Sequence, residues 1–248
     1  MKVTHLSLIV LFAMFANTAN AAFLGWTGDT FATDGTEDGT GIVLNASGGW
    51  TYEVAWNAGN GVDVTVNGVQ FLNNPNDATD VKITLTGDNA TGNENLTDEF
   101  PDGSAFETLM SSIEYNNAVS SNRSWTMRLE GLTPGQVYRV QFLAHQVTST
   151  AASRDMQIYF GSDTSGPTTG LFNAGELPSS NSSYVQTTGD SWTALFSATG
   201  SAQDFFVGGA NGEVPIINAV AVFSIPTPGA LIGGVVLMGI TVMRRRTY

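Results

Sequence analysis

Apolar and polar positions alternate with period two through most of the chain, the pattern of strands with one buried face. Trp50, Tyr52, Val54 and Trp56 alternate with Thr51, Glu53 and Ala55. Val62, Val64 and Val66 do so with Asp63, Thr65 and Asn67, and Val81, Ile83 and Leu85 with Lys82, Thr84 and Thr86. Trp125 to Leu129, Tyr138 to Phe142, Met156 to Phe160, Trp192 to Phe196 and Phe205 to Val207 continue the series. Ile217, Ala219, Ala221 and Phe223 make a last strand. These short strands, separated by Gly, Asn, Asp and Ser, predict an all-β fold: an antiparallel β-sandwich, jelly-roll-like.

The turns carry their own chemistry. Asn67-Gly68 can take the positive φ of a tight hairpin turn. Thr133-Pro134-Gly135-Gln136 places Pro and Gly at the centre of a type II turn, predicting a hairpin between strands 125–130 and 137–143. One short helix is expected, because Phe106, Leu109, Met110 and Ile113 recur at i, i+3, i+4 and i+7. Ser104, three residues before Glu107, makes a capping box at its start. Such a helix should lie against the sheet edge or close one end of the sandwich. The stretch from Leu129 to Phe142, with Leu132, Pro134, Gly135 and Tyr138, resembles the strand–turn–strand of galactose-binding-like, malectin-like and fibronectin-III-like extracellular sandwiches. That likeness implies an extracellular sandwich and names no ligand.

The alternation fails at both ends, where unbroken apolar runs replace it. Lys2 precedes the apolar run Leu6–Ala16, and Ala19-Asn20-Ala21 then offers small residues at the −3 and −1 positions before Ala22. Residues 1–21 therefore read as a secretory signal peptide, cut by signal peptidase between Ala21 and Ala22. At the other end, Pro226-Thr227-Pro228-Gly229 precedes the uncharged run Ala230–Met243, and Arg244, Arg245 and Arg246 follow at once. Fourteen helical residues cover about 21 Å, short of the ~30 Å hydrocarbon core but compatible with snorkelling arginines. The arginines should hold this end in the cytoplasm. The expected organisation is signal peptide 1–21, one ectodomain 22–225 and a tail 226–248 with a transmembrane helix over 230–243.

The tail resembles the PEP-CTERM sorting signal of bacterial exported proteins, in which a Pro-Glu-Pro motif precedes a Gly-containing apolar helix and an Arg cluster. The likeness covers the last ~25 residues, and Thr227 stands where that family usually has Glu. It implies an exosortase-like sorting enzyme as partner, and delivery to the cell envelope or to exopolysaccharide. Ile225 to Gly229 also resembles a sortase tail of the Leu-Pro-x-Thr-Gly type, with Pro228 in place of the reactive Thr. An ordinary single-span anchor is the third reading.

Charge narrows the partners. The chain carries 22 acids against nine bases, with no Cys. The segment 22–225 keeps five bases and all 22 acids, a formal charge of −17. A nucleic-acid binder needs a basic stripe, so that class is excluded. Without Cys, disulfide frameworks, thiolate catalysis and Cys-ligated zinc are excluded.

Candidate chemistry is sparse. His145 is the sole histidine after residue 21, and no Gly-x-Ser-x-Gly elbow is present. Gly189-Asp190-Ser191 resembles the nucleophile motif of SGNH-type hydrolases, but here no His follows it, and it reads as a turn before the strand at Trp192. A calcium-loop pattern begins at Asp34, with Thr36 and Asp38 at its third and fifth positions and Gly39 at the sixth, but Asn45 stands at the twelfth in place of Glu. Asp88, Asn93 and Glu94 belong to a second oxygen-rich loop running to Glu99. Four tryptophans sit in phase with core positions, whereas Trp26 has no clear core pattern and could stack on a sugar.

The expectation is a non-enzymatic exported bacterial protein, sorted to the envelope or matrix, with a glycan- or Ca²⁺-assisted contact role. The alternatives are a carbohydrate-active enzyme on a jelly-roll scaffold and a surface adhesin.

Overall fold

A computed structural model describes residues 22–59, 61–74, 80–87, 89–93, 99–116, 124–145, 155–169, 172–173, 188–209 and 214–225. Residues 1–21, expected to be a signal peptide, the tail expected over 226–248, Asp88 and Glu94 lie outside the described residues. Among the described residues no helix is long and apolar enough to cross a membrane.

Two five-stranded antiparallel sheets make the sandwich. The first runs β1 (Ala22–Ala32), β12 (Thr188–Ser197), β9 (Val137–Ala144), β15 (Ala219–Ile225), β2 (Thr51–Asn57). The second runs β11 (Phe172–Asn173), β10 (Asp155–Phe160), β13 (Ala202–Gly209), β8 (Ser124–Glu130), β5 (Lys82–Gly87). A hairpin of β3 (Val64–Val66) and β4 (Val69–Phe71), a small sheet of β14 (Ile216–Ile217), β7 (Ser112–Asn116) and β6 (Asn89–Asn93), and the helix α1 (Ala105–Met110) complete it.

Between the sheets lie Trp125, Met127 and Leu129 of β8, Tyr138, Val140 and Phe142 of β9, and Phe196 and Phe205. Their rings interlock, with Phe142 5.3 Å from Phe205 and Phe160 5.2 Å from Phe196. Each fully buried Phe contributes about 1.5–3 kcal/mol. A second core occupies the opposite face of the first sheet, where Leu143, Ala219, Ala221, Phe223 and Ala55 pack under Val66, Phe71, Phe106 and Leu109. The expectation of one apolar face therefore fails for β15, which is buried on both sides, and its sequence AVAVFSI reads as a continuous apolar run for that reason.

Local corrections have local causes. The Asn67-Gly68 hairpin forms with φ values of 48° and 76°. The turn at 133–136 also forms, closed by Gln136 N–H to Thr133 O at 3.1 Å with Gly135 at φ 83°. It is not a hairpin, because β8 and β9 belong to different sheets. The turn carries the chain across the sandwich, and the buried Tyr138 hydroxyl pins the corner by accepting from Thr133 N–H at 2.8 Å. In β2 the register skips Glu53, which turns Tyr52 away from the inter-sheet core and onto the Phe223 side. Val62 is 64% exposed and precedes its strand.

The helix ends at Met110, and Ile113 belongs to β7. Ser104 caps it by accepting from Glu107 N–H at 3.0 Å, while the Glu107 carboxylate reaches back to Gly103 N–H at 2.6 Å. Rather than closing an end, α1 covers the outer face of the first sheet. β1 was not expected as a strand: Gly25 and Gly28 interrupt its apolar residues, and a register shift falls between Phe23 and Gly25. Across the first sheet, Ala22, Ser197, Val137 and Ile225 align in one row. Both ends of the body thus leave the same edge of the sandwich, about 14 Å apart at three strand spacings.

Candidate functional site

The second core covers the first sheet over β15, β2 and the end of β1 at Phe31, but leaves the middle of β1 and the adjoining part of β12 uncovered. There the outer face is polar: Thr27 and Asp29 of β1, Ser191 and Thr193 of β12, and Gln141 of β9. Strand register sets the array. Thr27 lies opposite Thr193, which lies opposite Gln141, while Asp29 lies opposite Ser191. The loop between β1 and β2 rises beside this floor and presents Gly41, Ile42 and Leu44, enclosing a groove of about 250 Å³.

Gln141 fixes the wall to the floor. Its amide nitrogen donates to Ile42 O and to Ser191 Oγ, both at 2.8 Å, and its oxygen accepts from Leu44 N–H at 2.9 Å. With its nitrogen and oxygen so engaged, a glutamine only 2% exposed is satisfied, and the groove is held in one shape. Ser191 Oγ accepts from Gln141, so its own proton remains to donate. The Asp29 carboxylate accepts from Thr30 N–H at 2.9 Å. Gly28 leaves room for the Trp192 indole, since a Cβ there would meet the ring at 2.5 Å. Next along β9, the Arg139 guanidinium sits 4.4 Å from the Trp50 ring centroid and 4.6 Å from that of Phe223, and donates to Asn45 O. Burial lowers its pKa.

The 34–39 loop spends its carboxylates on itself. Asp34 accepts from the Thr36 hydroxyl and N–H, Glu37 from Gly39 N–H, and Asp38 from Thr40 N–H at 2.9 Å. The Thr36 hydroxyl holds Asp34 below the usual carboxylate range, and the Thr40 N–H does so for Asp38. Among the described residues, no three or more of His, Cys, Asp and Glu gather as a metal site. Asn89–Asn93 is a strand and not part of a loop.

Gly189-Asp190-Ser191 lies inside β12 rather than in a turn, so Asp190 and Ser191 point to opposite faces. Burial raises the pKa of Asp190 to about 6. His145 is fully buried, packed edge-on to Phe100 at 5.4 Å, and neither ring nitrogen has a hydrogen-bond partner among the described residues. Only its backbone N–H is engaged, donating to Asn218 Oδ1 at 2.6 Å, and burial lowers the ring pKa to about 4. No Ser–His contact forms at Ser191.

Trp26 also departs from expectation. It packs into the inter-sheet core against Phe23 at 5.7 Å and Phe142 at 6.1 Å, and donates to Pro167 O at 3.2 Å. The groove residues escaped sequence reading because Thr, Ser and Gln at the polar phase of a strand look like any solvated face. The usable signal was Gln141 between Val140 and Phe142, in a strand too apolar to leave it exposed.

No family model and no curated protein matches the chain. Among solved structures it is similar to the ANX2 ectodomain from Arabidopsis thaliana, with 11% identity, a TM-score of 0.48, and coverage of 72% of this chain and 51% of that one. It is similar to the plant receptor-like kinase ANX1 at 12% identity and TM-score 0.48, over 80% of this chain and 55% of the other. A third is TmCBM61 in complex with β-1,4-galactotriose, at 14% identity and TM-score 0.23, over 56% and 88%. The chain spans about half the length of the first two.

Proposed function

We propose that the chain is an exported, non-enzymatic binding sandwich, held at the cell envelope or in exopolysaccharide by its PEP-CTERM-like tail, and that the groove over β1, β12 and β9 is where it contacts glycan. The observation that carries the reading is the groove itself: three hydroxyls and one carboxylate on a rigid sheet, beside an aliphatic wall that Gln141 holds in place. Such a surface makes hydrogen bonds to sugar hydroxyls and apolar contact to a ring face. Its single carboxylate supports binding over glycoside hydrolysis, which needs an opposed pair. The shared edge at which Ala22 and Ile225 emerge suits a body tethered at one end.

The experiment compares the full chain with a version ending at Ile225, in cells fractionated into membrane, matrix and medium. The full chain should stay with the envelope or matrix, and the truncated chain should appear in the medium. Retention of the truncated chain in the membrane fraction would overturn the anchoring role.

A further inference from the structure

We infer that the groove selects a sugar unit bearing a free, protonated amine, so that its ligand is a cationic, amino-sugar-containing polysaccharide. This rests on the groove's being a glycan site. Among the described residues, Asp29 is the one charged residue that lines the groove. Its side chain is exposed, and it lies opposite Ser191 on the groove face of the sheet. An ammonium is a compact group with three donors and no acceptor. It finds here what it needs: a carboxylate with one oxygen held toward Thr30 N–H, and the hydroxyls of Thr27, Ser191 and Thr193 as further acceptors. A neutral hydroxyl in that position would leave the carboxylate without a cation. An anionic sugar would meet it as a like charge.

The rest of the molecule reinforces the choice. The segment 22–225 has five bases against 22 acids, and Arg128 is already taken up by Glu130 at 3.4 Å and Asp204 at 3.3 Å. The field therefore draws polycations toward the sandwich and repels uronic-acid polymers. A volume of about 250 Å³ suits one ring of a polymer, with Ile42 and Leu44 against its carbon–hydrogen face. β1 is the edge of its sheet, so the chain of sugars can enter and leave the groove without crossing a strand.

The test uses the full chain in detergent micelles and three tetrasaccharides with the same linkage: a glucosamine tetramer, its N-acetylated form and a neutral glucan. Calorimetry at low salt and slightly acid pH should give at least tenfold tighter binding for the amine, shrinking as salt is added. Asp29→Asn should abolish that advantage, so that the amine binds no tighter than the neutral tetramers. Thr27→Lys brings a positive charge beside Asp29, should remove the advantage of the amine by repulsion, and stands in if the first variant misfolds. If no tetramer binds, the glycan reading of the groove fails. If all three bind alike, the groove stands and the amine preference is overturned. An advantage that survives both variants would belong to the general negative field and would also overturn it.

Discussion

His145 and Asp190 should pull the stability of the body in opposite directions as pH falls. The perturbation is the pair of variants His145→Leu and Asp190→Asn. The ring of His145 is fully buried with both nitrogens unpartnered, and its pKa is lowered from 6.5 to about 4. The unfolded chain therefore takes up the proton first, and stability is lost as pH drops from 6.5 toward 4. At 1.36 kcal/mol per pKa unit, this costs about 2 kcal/mol by pH 5. Asp190 is the reverse case: burial raises its pKa from 3.8 to about 6, so its ionised form burdens the fold above pH 6, and stability returns as pH falls toward 3.8. Its partial exposure cuts the effect to about 1–2 kcal/mol.

Urea unfolding followed by tryptophan fluorescence, from pH 7 to 4.5, reads both. From these two groups the parent chain should change little between pH 6 and 4.5. His145→Leu loses no hydrogen bond to its ring and should gain about 2 kcal/mol over the parent at pH 5, with almost no gain at pH 7. Asp190→Asn should be more stable than the parent at pH 7, with the difference vanishing near pH 4. A His145→Leu variant whose advantage does not depend on pH would refute the reasoning, because it would mean that the ring titrates normally in the folded state.

Other outcomes follow from single contacts. Gln141→Leu strands the Leu44 N–H and Ile42 O and should cost about 2–4 kcal/mol in the same urea assay; a neutral result would detach the loop from the sheet. Gly28→Ala drives a methyl into the Trp192 ring and should lower stability by about 1–3 kcal/mol with a shift in tryptophan emission. Excess chelator should leave the urea midpoint unchanged, because the carboxylates of Asp34 and Asp38 already accept from Thr36 and Thr40; a fall would put an ion in that loop.

Period-two alternation made the sandwich legible, since the inward phases of β8, β9, β10 and β12 are the inter-sheet core. It could not tell which strands share a sheet. Pro134-Gly135 makes the same turn whether the chain returns along its neighbour or crosses to the facing sheet, and here it crosses. Nor could it reveal that one sheet is covered twice. The extra residue at Glu53 reverses Tyr52 without disturbing the letters, and the small residues of β15 suit burial on either side. Ser104 and Glu107 were legible because capping is local. The groove was not, because it joins residues 27–29, 41–44, 141 and 191–193, which only strand register brings together.

Export is tested most directly by intact mass spectrometry of the protein recovered from the cell envelope and matrix. The recovered chain should start at Ala22 and carry the sandwich to at least Ile225. A full-length chain starting at Met1 and recovered in solution from the cytoplasm would contradict export.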